Sequence, residues 1–598
     1  MKRWIGGLLL LFGLIIVAFI SPKEQSDYSK NSLEDFKRDS KLFSESLSEL
    51  KTNIQSWHNK QDCAECIQSL KECRLKFKRI EAFMEYYFEY PVNLYNRAPV
   101  FELEEPYMEY QSPVGLQYIE SLLLADDAFS HKKEILDQCE VLDATARDIP
   151  GQLFALETSD EGLIDANRLE LVRIISLGIS GYDAPQLKTG LSESAEALAA
   201  MNENLQPLLQ KHPGKSSDSI RLYLNRAIAF LNSAKDFDQF DRLQFLTEAA
   251  LPLQKQLRDF SIERGLTESK HRIFNAQSEH LFSPDAIQLN DSIEKQKALS
   301  IELGKALFHE KALSGNISRS CATCHNPNQY FTDGLSTSLS LDGKTHVSRN
   351  APTLYYAAFQ HAQFYDSRAE SLEKQIDFVL QNPREMNANL DSVVKRLDRN
   401  PAYRTKFRAA FATTDNISMN EIRVALASYE QSLAPFNSEF DRYIAGDHNA
   451  MKPAAKAGFN LFMGKAQCGT CHFAPLFNGL LPPFYERTEL EILGVPQKDT
   501  KGKWHSDRDS GRFAITPIAF NNGAFKTPTV RNSAMTAPYM HNGVFKNLKE
   551  LIDFYNKGGG RGLGLSVPQQ TLSDQPLKLS SSETEALIAF LKSLTDRP

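Results

Sequence analysis

Two short stretches, Cys321-Ala-Thr-Cys324-His325 and Cys468-Gly-Thr-Cys471-His472, decide how the second half of this chain is read. In each, two thiols three residues apart fall on one helical turn, where they can add to the two vinyl groups of a single haem. The His that follows points at the iron from the same side and supplies the proximal nitrogen. Structural cysteines beside an incidental His would rarely produce this order once, and far more rarely twice. The pattern predicts two covalently bound c-type haems, one held by Cys321, Cys324 and His325, the other by Cys468, Cys471 and His472.

The motifs lie about 150 residues apart, room for one small cytochrome domain each. From about residue 295 onward glycines, prolines and short helical segments alternate. Residues 295–445 and 446–598 are therefore read as two cytochrome c-like domains. Upstream, 35–285 reads as a helical domain. Leu191, Ala195, Leu198, Met201, Leu205 and Leu208 form an apolar stripe at three- and four-residue spacing, and so do Ile67, Leu70, Cys73, Phe77, Ile80 and Met84. His212-Pro213-Gly214 marks a break between helices. Tyr86-Tyr87-Phe88-Glu89-Tyr90 reads as core rather than contact surface. No strong hairpin signal is present, so the expected class is mainly α, a helical domain followed by two haem domains. At 598 residues about three domains are expected, and a net charge of -7 argues against nucleic acid as a partner.

Lys2 and Arg3, an apolar run from about 4 to 20, and polar Ser21-Pro22-Lys23-Glu24 have the layout of an export signal. The run is just long enough to span a bilayer, so residues 1–22 are either a signal peptide or an N-terminal membrane anchor. Either places the body of the protein outside the cytoplasm, in the periplasm. There Cys63, Cys66, Cys73 and Cys139 read as disulfide material. Cys66 and Cys73 lie two helical turns apart, beyond a bridge, so the expected pairs are Cys73–Cys139 and Cys63–Cys66.

Further motifs surround the haem sites. Leu313-Ser-Gly-Asn precedes the first, and Arg349-Asn-Ala-Pro-Thr-Leu354, Phe364-Tyr-Asp-Ser-Arg368 and Asn382-Pro-Arg-Glu-Met386 follow it. After the second come Phe525-Lys-Thr-Pro-Thr-Val-Arg-Asn532, Ala537-Pro-Tyr-Met-His-Asn-Gly543 and Asp553-Phe-Tyr-Asn556. In their number and order these resemble the bacterial di-haem cytochrome c peroxidases and their MauG relatives, from about Leu303 to the C-terminus. The resemblance implies a first haem that reacts with H₂O₂ and a second that relays electrons. It makes Glu385 the distal acid–base residue and Gln375 its companion. A carboxylate over an open iron can move a proton between the peroxide oxygens and favour heterolytic cleavage.

Three positions depart from the better-known members. Where they carry a His that blocks the first iron, this chain has Asp342, and His346 is offset and reads as a surface residue. That implies an open first haem, as in MauG. Where they carry a Met ligand to the second iron, this chain has Tyr555, as MauG-like proteins do; a phenolate stabilises ferric iron and lowers the potential. Met535 and Met540 are the alternative ligands. Between the haems their Trp is replaced by Tyr365, whose oxidation is coupled to loss of a proton. The family also binds one Ca²⁺, implying the Asn350 side chain and the carbonyls of Thr536 and Pro538 as ligands, oxygens suited to a hard cation. The electron source would be a small periplasmic redox protein, a cytochrome c or a cupredoxin. Alternatively, oxidisable residues on a protein substrate would supply electrons, in the manner of MauG. A non-enzymatic cytochrome with both irons six-coordinate is the rival from another class.

Overall fold

The computed structural model describes residues 27–597, apart from 89–91, 106–108, 154–155, 157, 267–273, 276, 288–293 and 413–415. The apolar run at 4–20, and with it the expected leader or anchor, lies outside the described residues. Among those described, no helix is long and apolar enough to cross a membrane.

The protein is mainly helical. Its first half is built from α1 (Asp27–Gln55), α2 (Lys60–Tyr87), α3 (Lys132–Gln152), α4 (Asp160–Arg173), α5 (Gly190–Lys211), α6 (Lys215–Asn232) and α7 (Leu251–Arg264). The Leu191-to-Leu208 stripe on α5 is buried throughout, as its period requires, and α5 packs on α2 and α6. The break at His212-Pro213-Gly214 separates α5 from α6. Ser159 caps α4 by accepting from the Gly162 N–H, and left-handed Gly265 ends α7. Tyr87 packs against Tyr86 and Phe83, and Phe88 against Phe36, which is core packing; Glu89 and Tyr90 lie outside the described residues.

The four upstream cysteines correct one expectation: all are free thiols, and neither Cys73–Cys139 nor Cys63–Cys66 is bridged. Two of the thiols have other partners. The Cys63 thiol reaches the Leu123 carbonyl at 3.9 Å, and Cys73 hydrogen-bonds Ser46. Burial pushes the Cys73 and Cys139 thiols up to about 12, so they are packed hydrophobes rather than nucleophiles.

The two haem halves repeat one packing device. In the first, α8 (Glu294–Phe308) crosses α10 (Met419–Gln431), with α9 (Leu372–Gln381) between them in sequence; in the second, α11 (Pro453–Phe462) crosses α13 (Ser581–Ser593). The later helix of each pair opens with a reciprocal capping box, Ser418 with Glu421 and Ser580 with Glu583. The earlier one brings a glycine onto its partner's backbone. A methyl at Gly304 would lie 1.9 Å from the Ala425 carbonyl oxygen, and one at Gly458 would lie 1.9 Å from that of Ala586. Alanine at either position is expected to cost about 1–3 kcal/mol. Chemical denaturation checks this, and an unchanged midpoint would show that the helices separate without penalty.

The helical region joins the second haem half through a shared sheet. Its strands β1 (Glu102–Glu105) and β2 (Glu109–Gln111) enter a four-stranded antiparallel sheet with β3 (Thr488–Glu491) and β4 (Phe525–Lys526) from the second haem half, in the order β2-β1-β3-β4. The β1 sequence, Glu-Leu-Glu-Glu, is too short and polar to show a strand period, so no strand is expected from it alone. Leu243 adds a second link, donating its N–H to Asn460 Oδ1 at 2.9 Å. The chain end closes on the first haem half: Asp596 accepts from the Tyr356 hydroxyl at 2.7 Å and from the Asn437 N–H at 3.0 Å.

Candidate functional site

Each haem motif folds as a single tight helical turn, Cys321–Thr323 and Cys468–Thr470, which presents both thiols and the following His together. Ser320 and Thr323 cap the first reciprocally. His325 Nδ1 lies 3.1 Å from the carbonyl oxygens of both Phe331 and Pro352. His472 Nδ1 lies 3.2 Å from Phe477 O and 3.0 Å from Pro528 O. A carbonyl only accepts, so the proton of each ring sits on Nδ1 and the lone pair of Nε2 is left for a metal. Burial keeps both rings neutral, His472 lowered to about 4. Ile317, four residues before Cys321, is an apolar side chain 53% exposed. Paired thiols on one turn and an imidazole with a free Nε2 are what a covalently attached haem needs. The residues fit the group.

The lining of the two sites differs. Pro383 ends α9 at Gln381, and the turn that follows is closed by the Glu385 N–H on Asn382 O at 3.0 Å. This brings Glu385 within electrostatic reach of Cys324. Burial raises its carboxyl, while Arg368 and Arg319 pull it back. Gln375, half-buried, lies on α9 itself. Asp342 is exposed and accepts from the N–H groups of Lys344 and Thr345, both at 2.9 Å; His346 is also exposed, with Nδ1 2.7 Å from the Thr337 carbonyl oxygen. At the second site Tyr555, on α12 (Leu548–Asn556), interacts electrostatically with Cys468 and Cys471, whereas Met535 is exposed. Glu491, which no motif marks, hydrogen-bonds Cys471.

Between the sites the motifs converge. Arg349 binds Asp366 on one side and Asp509 on the other, with its guanidinium over the Phe525 ring. His541 stacks on the same ring at 3.9 Å and lies 3.0 Å from Asp507. Although burial opposes it, Arg349 holds Asp509 below the ordinary carboxylate range. Tyr365 sits in this hub and donates to Asn350 Oδ1 at 3.2 Å. Asn350 Nδ2 donates to Leu335 O at 2.8 Å and lies 3.5 Å from Pro538 O. Asn350 and Pro538 therefore meet, but through the amide nitrogen. Thr536 uses its hydroxyl on the Ser533 carbonyl at 3.4 Å. Among the described residues no group of three or more His, Cys, Asp or Glu side chains could hold a metal, so a cation here would rest on carbonyls and water.

The sequence profile of one family, di-haem cytochrome c peroxidase, matches residues 298–449. The methylamine utilization protein MauG of Methylorubrum extorquens is 36% identical over 298 residues, covering 50% of this chain and 78% of the relative. The chain belongs to the di-haem cytochrome c peroxidase family. Cytochrome-c peroxidase IdrP1 of Pseudomonas sp. (strain SCT) is 35% identical over 319 residues, 50% of this chain and 82% of the relative. A crystal structure of a MauG-like protein associated with microbial copper homeostasis covers 52% of this chain and 92% of that one, at 30% identity and a TM-score of 0.44. As a family member the chain is an oxidoreductase of the cytochrome-c peroxidase type, with two haems as its cofactors.

Proposed function

We propose that the chain is an exported, MauG-like di-haem peroxidase that reduces H₂O₂ at the His325 haem with electrons relayed through the His472 haem. Cys321 and Cys324 would tether the first haem, and Cys468 and Cys471 the second, where Tyr555 would be a further ligand. When bound, haem supplies iron that takes peroxide as a ligand and stores oxidising equivalents. The residues do the rest. Glu385 takes a proton from the near peroxide oxygen and returns it to the far one, so that water leaves. Arg368 and Arg319 oppose the effect of burial and favour the ionised form, which can accept. Gln375 orients the bound peroxide. The Arg349–Asp366–Asp509 clamp holds the two halves in fixed relation, with Tyr365 between them as relay. One Ca²⁺ held by Asn350, Thr536 and Pro538 belongs to the same proposal. So do the periplasmic location and a small cytochrome c or cupredoxin as electron donor.

The observation that carries the reading is the unequal lining: a phenol, Tyr555, stands by the second Cys-x-x-Cys-His turn, whereas Glu385, and no such motif tyrosine, stands by the first. Asp342 and His346 are both engaged in their own surface loop, which supports an open first iron. The MauG-like alternative, oxidation of residues on a protein partner, is favoured by the Tyr at 555.

Electron paramagnetic resonance of the ferric holoprotein tests this. A high-spin signal beside a low-spin one is expected, followed by rapid change on adding peroxide without reductant. Two low-spin signals and no reaction would instead identify an electron-transfer cytochrome.

A further inference from the structure

The helical half places one redox-active side chain beside the second haem motif. Tyr182 follows the wide turn Ile174–Gly178, and its ring meets Phe473, the neighbour of His472, edge-on with centroids 5.6 Å apart. Its hydroxyl donates to Glu102 Oε1 at 2.7 Å and lies 3.3 Å from Glu489 Oε1. Those carboxylates stand on β1 and β3, adjacent strands in which Glu104 is paired with Glu489. A phenol has one proton, so two carboxylates at its oxygen are compatible only if one of them is protonated. Burial, and then the nearby Glu102, raises Glu489 well above its ordinary value; burial, and then Glu104, raises Glu102 to about 7. Glu489 then donates to Tyr182, and Tyr182 donates to Glu102, a poised acceptor.

The position is rigid and has an outlet. Asp183, the next residue, is held by Lys78 at 2.6 Å and Asn96 at 3.1 Å, both within the buried charge network of α2 and its neighbours. A polar cavity of about 110 Å³ between the halves is lined by Glu85, Glu102, Glu104, Arg173, Tyr182 and Arg487. Two other tyrosines near the motifs lack a base. Tyr365 donates to the Asn350 amide oxygen, and Tyr485 donates to the Ala474 carbonyl at 2.8 Å. Neither acceptor is a carboxylate, so a long-lived neutral radical is expected at Tyr182 and not at the transiently oxidised Tyr365.

We propose that Tyr182 is a proton-coupled electron relay linking the second haem to the helical half. Tyr182 gives one electron to the centre oxidised by peroxide and its phenolic proton to Glu102, leaving a neutral tyrosyl radical and a glutamic acid. An electron from the small redox protein that serves as donor restores the phenol as the proton returns. The proposal rests on the peroxidase reading, which supplies the oxidant.

The experiment is freeze-quench paramagnetic resonance of the ferric holoprotein mixed with peroxide alone, with haem absorption followed in parallel. A narrow organic radical is expected whose splitting collapses with ring-deuterated tyrosine. Tyr182→Phe should abolish it, Tyr485→Phe should leave it, and Glu102→Gln should slow its appearance roughly a hundredfold. A tyrosyl signal undiminished in Tyr182→Phe overturns the relay. So does a wild-type protein whose haem bands respond to peroxide with no tyrosyl signal. Haem bands that never respond overturn the peroxidase reading, and the relay falls with it. Should Tyr182→Phe fail to fold, Glu102→Gln decides alone, an unchanged rate being the negative result.

Discussion

Glutamine at position 385 is expected to slow the reaction of the ferric protein with peroxide by about 10²- to 10⁴-fold while both haems stay attached. Glutamine matches glutamate in shape and can still hydrogen-bond, but it cannot accept the proton that must leave the near oxygen. The turn that carries it should survive, because its closing bond runs from the backbone N–H of residue 385 to Asn382 O. The pH profile adds a second readout. Burial raises the Glu385 carboxyl despite Arg368 and Arg319, so the base form is lost, as pH falls, earlier than for an ordinary carboxylate. The acid limb of the wild-type rate should therefore lie above the usual carboxylate range and vanish in Glu385→Gln. Stopped-flow haem absorption measures both. An unchanged rate and profile would remove Glu385 from the chemistry.

Arg531→Met is expected to lower the folding free energy by about 3–5 kcal/mol, because it leaves a buried carboxylate without its partner. The Arg531 side chain is 0% exposed and Asp441 is 9% exposed, with two hydrogen bonds between them at 3.0 and 2.9 Å. Burial alone would raise the Asp441 carboxyl; Arg531 holds it below its ordinary value. The guanidinium also donates to Pro475 O at 3.1 Å, in the loop just after His472, and lies over the rings of Tyr356 and Phe436. Denaturant unfolding of the holoprotein gives the loss. Adding Asp441→Asn should recover part of it by removing the stranded charge, so the two changes will not add. A loss below about 1 kcal/mol would mean that water reaches Asp441 and compensates it.

How much was legible in advance follows from the range of the interactions. The α5 stripe and the break at His212 could be read because helix period and chain breakers act over a few residues. The two thiols and the following imidazole also belong to one turn, so each haem motif is self-contained. Glu385 and Tyr555 could be named only through resemblance, since nothing local distinguishes them from a surface acid and a core phenol. Their neighbours Cys324 and Cys468 are 61 and 87 residues away. Arg319 beside Glu385 and Glu491 beside Cys471 were missed because no spacing rule links them to a haem. The expected disulfides failed for a related reason: shared compartment and helical spacing limit which cysteines can meet, but packing put the Leu123 carbonyl against Cys63 and Ser46 against Cys73.

By itself the sequence determined that this protein carries two c-type haem attachment turns, a helical first half and the ordered motifs of the di-haem peroxidases. Local periodicity and the chemistry of a single turn suffice for that. Only the tertiary structure decided that the helical half enters the sheet of the second haem half, and that Tyr182 stands between Glu102 and Glu489 beside Phe473. The contacts of Tyr182 with Glu489 and Phe473 join residues more than 290 positions apart. They depend on strand pairing that Glu-Leu-Glu-Glu does not announce and on burial that brings carboxylates together against their own repulsion.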